Sequence, residues 1–344
     1  MRCLVLAAGM STRLASITGG APKPLAPING VPVLKRNLRW LRRYGIAHTF
    51  INLHYRADEI KAAIGNGSAD GVRVSWSEEN PILGTAGAAK KLERELTHPA
   101  QLFGGAIATP EGDASPATRI APPDPKQAPQ LPAAPGTPPA PPASTLGAGV
   151  SLPPFAYGEA VTSPPPAASE IPAPSLVART PFLLVYGDNV FDFDLSKFIA
   201  QHVVAKQADP AMLGTIALFD PNKHRHTGIA GGRVRTELTG APLFFGDAGR
   251  ITQFIEGAAP DAPGYVNAAA YVLEAEALEG IPPPPQATDW ARDVFPKLLA
   301  AGKHLRGHLI DGYCLGIDTP ESYQRAQEIV TASETKPRVV SGYS

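Results

Sequence analysis

The sequence predicts an α/β domain on a largely parallel sheet, interrupted by one long insertion. Three observations carry this. The first hundred residues alternate short apolar runs with helical repeats, the pattern of strands joined by crossover helices. Apolar strand signals resume at Phe182 and continue to the end of the chain. Between these parts the composition changes, and twenty-one of the 38 prolines lie from Pro99 to Pro181.

In chain order, Arg2 to Ala7 is a continuous apolar run and predicts a strand covered on both faces. Pro32 to Tyr44 predicts a helix from Leu34, Leu38 and Leu41, ended by Gly45. Thr49 to Leu53 and Val72 to Trp76 predict strands, with a short helix from Ala57 to Ile64 between them. Gly84 to Leu96 predicts a helix opened by Gly-Thr. Strand, helix, strand, helix, strand implies a parallel sheet with right-handed crossovers.

From 99 to 180 the proline blocks, such as Pro138-Pro139-Ala140-Pro141-Pro142, cannot join a helix or an inner strand. This stretch is expected to be disordered, or extended, because it lacks the apolar surface to offset its ordering entropy. It reads first as a passive linker, with recognition as a polyproline helix, which its spacing would permit, as the alternative. Lengthening a connection from about 5 to about 80 residues costs roughly 2.5 kcal/mol. A domain stable by about 5–15 kcal/mol can carry that. The expected organisation is 1–98 and 181–332 as two parts of one domain, 99–180 as the insertion, and 333–344 as a flexible tail.

After the insertion, Phe182 to Asn189 predicts a buried strand ending in acid. Met212 to Leu218, Gly249 to Glu256 and Val266 to Leu273 predict further strands, with Arg233 to Leu238 as another candidate. Asp289 to Ala301 predicts a helix with Trp290, Val294 and Leu298 on one stripe. Asp311 to Leu315 reads as short and extended. Thr319-Pro320-Glu321 opens a last helix, with Thr319 as N-cap and proline at its first position.

Composition excludes several classes. The chain has 344 residues, with 31 basic and 31 acidic side chains. This balance carries no nucleic-acid footprint and no attraction to acidic membrane. The two cysteines, Cys3 and Cys314, form no metal-ligand spacing and no disulfide framework, so a reducing, cytoplasmic setting is expected. No stretch approaches the roughly 18 apolar residues of a membrane span.

The chemistry concentrates at the amino terminus. Leu6-Ala7-Ala8-Gly9-Met10-Ser11-Thr12-Arg13 runs toward Pro22-Lys23-Pro24-Leu25. Small residues let backbone N–H groups approach phosphate oxygens, and the arginine and lysine offset the charge. There is no G-x-x-x-x-G-K-[ST] and no G-x-G-x-x-G, so neither a P-loop nor a dinucleotide fingerprint is present. The segment resembles the L-A-A-G-x-G-T-R-L and P-K-P-L signature of the sugar-1-phosphate nucleotidyltransferases, with Ser11 in place of a glycine; the Gly84-Thr85-Ala86-Gly87 block and the short chain look most like the mannose-1-phosphate guanylyltransferases among them. The resemblance covers about 1–96 and 182–330. It implies a Rossmann-like, mostly parallel mixed sheet flanked by helices, of the nucleotide-diphospho-sugar transferase type.

The resemblance also implies roles. Residues Leu6 to Thr12, with Glu79, Gly84 and Thr85, would bind the nucleotide. Arg13, Lys23 and Asp188 would be catalytic, and Asn189, Glu256 and Asn267 would hold the sugar. Asp188 would hold Mg²⁺. Gly84 and Thr85 are expected to turn free N–H groups of a helix start toward the site. Two departures stand out. Gly257 replaces the lysine of the family's F-x-E-K-P segment. Tyr313-Cys314-Leu315-Gly316-Ile317-Asp318 exchanges acid and glycine relative to Y-W-L-D-I-G. Asp318 then either reaches the metal from two residues on or caps the last helix.

The implied reaction joins an NTP and a sugar 1-phosphate into an NDP-sugar and pyrophosphate, with GTP and mannose 1-phosphate or a related sugar phosphate foremost. A uridylyltransferase acting on glucose- or N-acetylamino-sugar 1-phosphate is the alternative within the family. A nucleotide-binding regulatory relative with impaired turnover is the alternative outside it. No nucleic-acid or membrane partner is expected, and self-association to a homo-oligomer is left open.

Overall fold

Strand β1 (Arg2–Leu6) lies within a nine-stranded sheet in the computed structural model. Strands β4 (His48–Leu53) and β6 (Phe182–Tyr186) flank it, both parallel to it. The structure describes residues 1–10, 14, 19–98, 179–227, 232–259 and 261–335. Strand β5 (Arg73–Glu78) extends the parallel half beyond β4. On the other side the order continues through β11 (Tyr265–Leu273), β8 (Met212–Phe219), β12 (His304–Leu309), β10 (Asp247–Ile255) and β9 (Arg233–Glu237). There the pairing is antiparallel except between β8 and β12. The sheet is therefore mixed, with its longest parallel run in the part where the sequence alternates strand and helix.

Burial follows the period-two alternation of a strand. Cys3 and Val5 enter a core on one face of the sheet, beneath α1 (Val33–Arg43), α2 (Ala57–Ile64) and α5 (Leu195–Ala208). Leu4 and Leu6 enter the core on the other face. There they meet α3 (Gly84–Lys91), α4 (Glu93–Thr97) and α6 (Phe295–Ala300). Trp40 of α1 stacks on Phe191 at 5.0 Å between ring centroids and donates its indole N–H to the Phe193 carbonyl.

Two small pairs complete the fold. Strands β2 (Pro27–Ile28) and β3 (Val31–Pro32) form one, and β7 (Asn189–Asp192) and β13 (Tyr313–Gly316) the other. A third apolar cluster joins Leu14, Ile28, Val190, Leu315 and Ile317 to α7 (Pro320–Glu334). It packs Leu14 and the β2–β3 pair against the end of the β7–β13 pair. Thr319 caps α7 by accepting from the Ser322 N–H, as the sequence predicts, and Ser322 returns the bond.

Several elements differ from expectation. The helix expected over 84–96 breaks at Leu92 into α3 and α4. The helix expected over 289–301 begins as a π-helical turn, Trp290–Val294. Helix α5 is new: Asp194 caps it, and Leu195, Phe198, His202 and Ala205 face inward. Exposed Val203 and Val204 on its outer side blur the apolar stripe that would have revealed it. Strand β12 is also new, because two histidines, an arginine and a glycine disguise it. Arg306 pairs there with buried Asp247, and His308 stacks on Phe198. The last helix runs on to Glu334, which pairs with Arg36 at 2.7 Å, so residues 333 and 334 are not part of a loose tail.

Of the expected disordered stretch, 99–180, residues 99–178 lie outside the described residues, as do residues 336–344 of the expected tail, 333–344. The ends of the long stretch are described. The Thr180 N–H donates to the Thr97 carbonyl at 2.7 Å, and Arg179 pairs with Glu279 at 3.1 Å. The connection thus leaves and re-enters the domain within one hydrogen bond.

Burial pushes the His308 imidazole down to about 4, overcoming the attraction of Asp311 and Asp247. The fold therefore holds His308 neutral, while the unfolded chain takes up a proton below about 6.5. Its contribution is complete above pH 6.5 and is lost as pH falls from there toward 4, by about 3 kcal/mol in all. Urea unfolding from pH 7.5 to 4.5 should show this slope, and His308→Phe should flatten it.

Candidate active site

The carboxyl ends of parallel strands β1 and β6 meet at one edge of the domain, where open α/β sheets bind ligands. Gly187 follows β6, and its N–H donates to the Leu6 carbonyl at 2.7 Å. A Cβ at 187 would lie 2.8 Å from that oxygen, so glycine is required for the close approach. Asp188 is thereby fixed beside the end of β1.

Lys23 reaches the same point from a short 3-10 turn, Lys23–Leu25. Prolines 22 and 24 stiffen the turn, and the Ala26 N–H closes it on the Lys23 carbonyl. Its ammonium bonds Asp188 Oδ2 at 2.9 Å and Asp318 Oδ1 at 2.6 Å. Burial alone would lower the pKa of Lys23, but the two carboxylates together outweigh it and raise it. Thr319, not Asp318, caps α7, so the acid displaced by two residues faces the site. A Cβ at Gly316 would lie 3.2 Å from Asp318 Oδ2 and 3.1 Å from Asn189 Oδ1. The Asp318 carboxylate thus lies against the space a side chain at 316 would occupy.

The other expected nucleotide contacts have a different geometry. Glu79 is buried; it accepts from Asn52 Nδ2 at 2.8 Å and from the Leu83 N–H at 2.9 Å. Asn52 in turn accepts from the Ala7 N–H at 2.7 Å. Glu79 therefore acts through Asn52 on the backbone of the first loop. At the start of α3, part of the donor set is taken by a distant segment. The Thr288 carbonyl accepts from the Ala86 and Gly87 N–H groups, and Thr85 donates its hydroxyl to Asp289 at 2.8 Å. A Cβ at Gly84 would lie 2.5 Å from the Thr288 oxygen, so this glycine serves the close packing of that segment.

Leu6, Ala7 and Ala8 are buried, and Gly9 and Met10 are exposed at the loop. Ser11, Thr12 and Arg13 lie outside the described residues.

A cleft of about 490 Å³ opens beside the Asp188–Asp318 pair. Asn189, Glu256 and Asn267 line it with Tyr186 and Asp289, so the expected sugar contacts come together. Asn267 donates to the Tyr271 hydroxyl and accepts from the Ala269 N–H, at a register break between β11 and β8. Burial, and then the nearby Asp289 carboxylate, raise the pKa of Glu256. Asn52 and Asp289 were not singled out from the sequence. Asn52 sits within an ordinary strand pattern, and Asp289 reads only as the first residue of a helix. Asn52→Ala would strand the buried Glu79 carboxylate and the Ala7 N–H. It should destabilise the fold by about 1–3 kcal/mol in urea unfolding.

The donor chemistry at Lys23 suits a hard divalent cation. Two carboxylates converge on one cationic atom, and Mg²⁺ commonly takes one or two carboxylates with waters and phosphate oxygens completing its shell. Among the described residues no group of three or more His, Cys, Asp or Glu side chains could hold a metal. Asp188 and Asp318 would therefore hold Mg²⁺ only in company with a phosphate ligand or water.

The nucleotidyl transferase family model matches residues 2–106. The D-glycero-alpha-D-manno-heptose 1-phosphate guanylyltransferase of Campylobacter jejuni is 32% identical over 105 residues, 30% of this chain and 47% of that protein. The UTP–glucose-1-phosphate uridylyltransferase of Synechocystis is 35% identical over 102 residues, 27% of this chain and 26% of that protein. These matches span between a quarter and a half of the relatives' own length. Among solved structures, HddC from Yersinia pseudotuberculosis, also solved in complex with GMP-PN, superposes with a TM-score of 0.57 at 18% identity. That match covers 96% of this chain and 99% of HddC, and carries the fold. Over its first hundred residues the chain is thus similar to sugar-1-phosphate nucleotidyltransferases. No helix among the described residues is long and apolar enough to cross a membrane.

Proposed function

We propose that the protein transfers a nucleotidyl group from an NTP to a sugar 1-phosphate, releasing pyrophosphate. GTP and a manno-configured sugar 1-phosphate such as mannose 1-phosphate are the foremost substrates. The reading rests on the bridge from Lys23 to Asp188 and Asp318 beside the small-residue loop. Guanylyltransferases among the relatives support the choice of base. Uridylyl transfer to glucose 1-phosphate is the second reading, favoured by the Synechocystis relative.

Four carboxylates line the cleft, Asp188, Glu256, Asp289 and Asp318. A polyphosphate enters such a cleft only with compensating cations. Mg²⁺ held by Asp188 and Asp318 would supply charge neutralisation at the phosphates. Lys23 offsets charge near the α-phosphate, Arg13 holds the departing pyrophosphate, and the backbone of Gly9 to Thr12 cradles the triphosphate. Asn189, Glu256 and Asn267 orient the sugar. A sugar-phosphate oxygen attacks the α-phosphorus as the bond to pyrophosphate breaks in line, so no covalent enzyme intermediate is needed. Positioning and charge stabilisation supply the rate. Gly257 removes one cation from the sugar-phosphate side, so Lys23 and Arg13 carry more of that charge. Both cysteines are free and buried, which suits a cytoplasmic setting.

Pyrophosphate release with four NTPs against a panel of sugar 1-phosphates tests the reading. Release with GTP and a manno-configured acceptor supports it, and release only with UTP selects the second reading. Nucleotide binding without release from any pair overturns the transferase and leaves a regulatory relative.

A further inference from the structure

We propose that Lys23 is a built-in counter-cation for the Asp188–Asp318 pair and competes with the divalent metal for those oxygens. The metal then loads tightly only when a nucleotide phosphate draws the ammonium away. This rests on the reading of the two acids as metal ligands.

The geometry carries it. One Nζ atom sits within hydrogen-bond distance of both carboxylates, 2.9 and 2.6 Å, a single cation joining two acids from different segments. The lysine side chain is one-tenth exposed, whereas those of Asp188 and Asp318 are 33% and 26% exposed. Both acids line the cleft, while the ammonium lies behind them. A metal ion arriving from the cleft meets oxygens already neutralised. It must either displace the ammonium or share the carboxylates with it, and like charges so close repel strongly where water is scarce. The turn that carries Lys23 is stiffened by its prolines, so only the flexible four-carbon stem has to move. A phosphate oxygen offers the ammonium an alternative partner, which makes metal and nucleotide mutually dependent. Gly316 contributes to the arrangement: without a side chain there, the carboxylate of Asp318 has room to converge on Lys23.

The test is Mn²⁺ binding to the full-length protein without nucleotide, followed by the electron paramagnetic resonance of free Mn²⁺. Lys23→Met keeps the length of the side chain and removes the charge. It should bind Mn²⁺ at least tenfold more tightly than wild type, even though its turnover falls. Asp318→Asn added to Lys23→Met should abolish the gain. In wild type, a non-hydrolysable NTP analogue should raise Mn²⁺ affinity toward that of Lys23→Met. Folded Lys23→Met that binds Mn²⁺ no more tightly than wild type overturns the competition. If that variant does not fold, thermal shifts of wild type decide. Mg²⁺ alone should leave the melting temperature unchanged, and Mg²⁺ should add to the shift given by the analogue. An equal Mg²⁺ shift with and without the analogue overturns the inference. Absence of Mn²⁺ binding under every condition overturns the metal assignment together with it. Failure of the transferase reading appears separately, as absent pyrophosphate release despite the Mn²⁺ gain.

Discussion

Lys23→Ala is expected to lower turnover by about 10²–10³-fold, the usual effect of deleting one charge-stabilising donor from a transition state. The ammonium is already positioned against two carboxylates, and its flexible stem lets it turn toward the α-phosphate in the proposed reaction. Charge shifts toward the departing pyrophosphate as the new bond forms, so the loss should fall on kcat more than on KM. Lys23→Arg should recover only part of the rate. A planar fork on a stiffened turn cannot take the place of a point charge between two acids. Steady-state kinetics on folded variants decides this, and Lys23→Ala turnover within threefold of wild type would refute the role.

Much of this site was legible before the fold. Small residues followed by an arginine and a proline-flanked lysine have a compact chemical meaning, and Gly187-Asp188-Asn189 ends a strand whose apolar run is unmistakable. Pairing of Asp188 with Asp318 could be suspected from the exchange with Gly316. Its geometry could not, because the two acids are 130 positions apart and meet through a lysine from a third segment. Partners that lie far away in the sequence were not legible. The Thr288 carbonyl accepts from the Ala86 and Gly87 N–H groups just behind Gly84 and Thr85, from two hundred residues away. The Glu79 carboxylate accepts from Asn52 and the Leu83 N–H, which no spacing announces.

The fold shows the same division. Strands buried on both faces, β1, β6 and β8, announce themselves by continuous apolar runs. Strand β12 does not, because its stability comes from particular pairings: Arg306 with Asp247, and His308 between aromatic rings. Helix α5 hides for the opposite reason, since apolar residues on its exposed side spread the stripe around the helix.

Asp188→Asn is expected to lower turnover by about 10³-fold or more, the largest effect in the molecule. Neutralising this acid would remove a ligand of the proposed metal, and it also removes one of the two charges that hold Lys23. The asparagine amide would place N–H donors toward an ammonium and a cation, which reverses the local electrostatics without changing the shape. Asp318→Asn should cost less, about 10–10²-fold, because Asp188 still anchors the lysine and waters can complete a metal shell. The ordering of these two variants is informative in itself. Equal losses would mean that both acids bind the metal throughout turnover. A greater loss at Asp318 would mean that the acid displaced by two residues had become the principal ligand. Single-turnover pyrophosphate release, with Mn²⁺ affinity measured on the same preparations, separates these cases. An Asp188→Asn protein retaining more than a tenth of wild-type turnover would remove the acid from the mechanism.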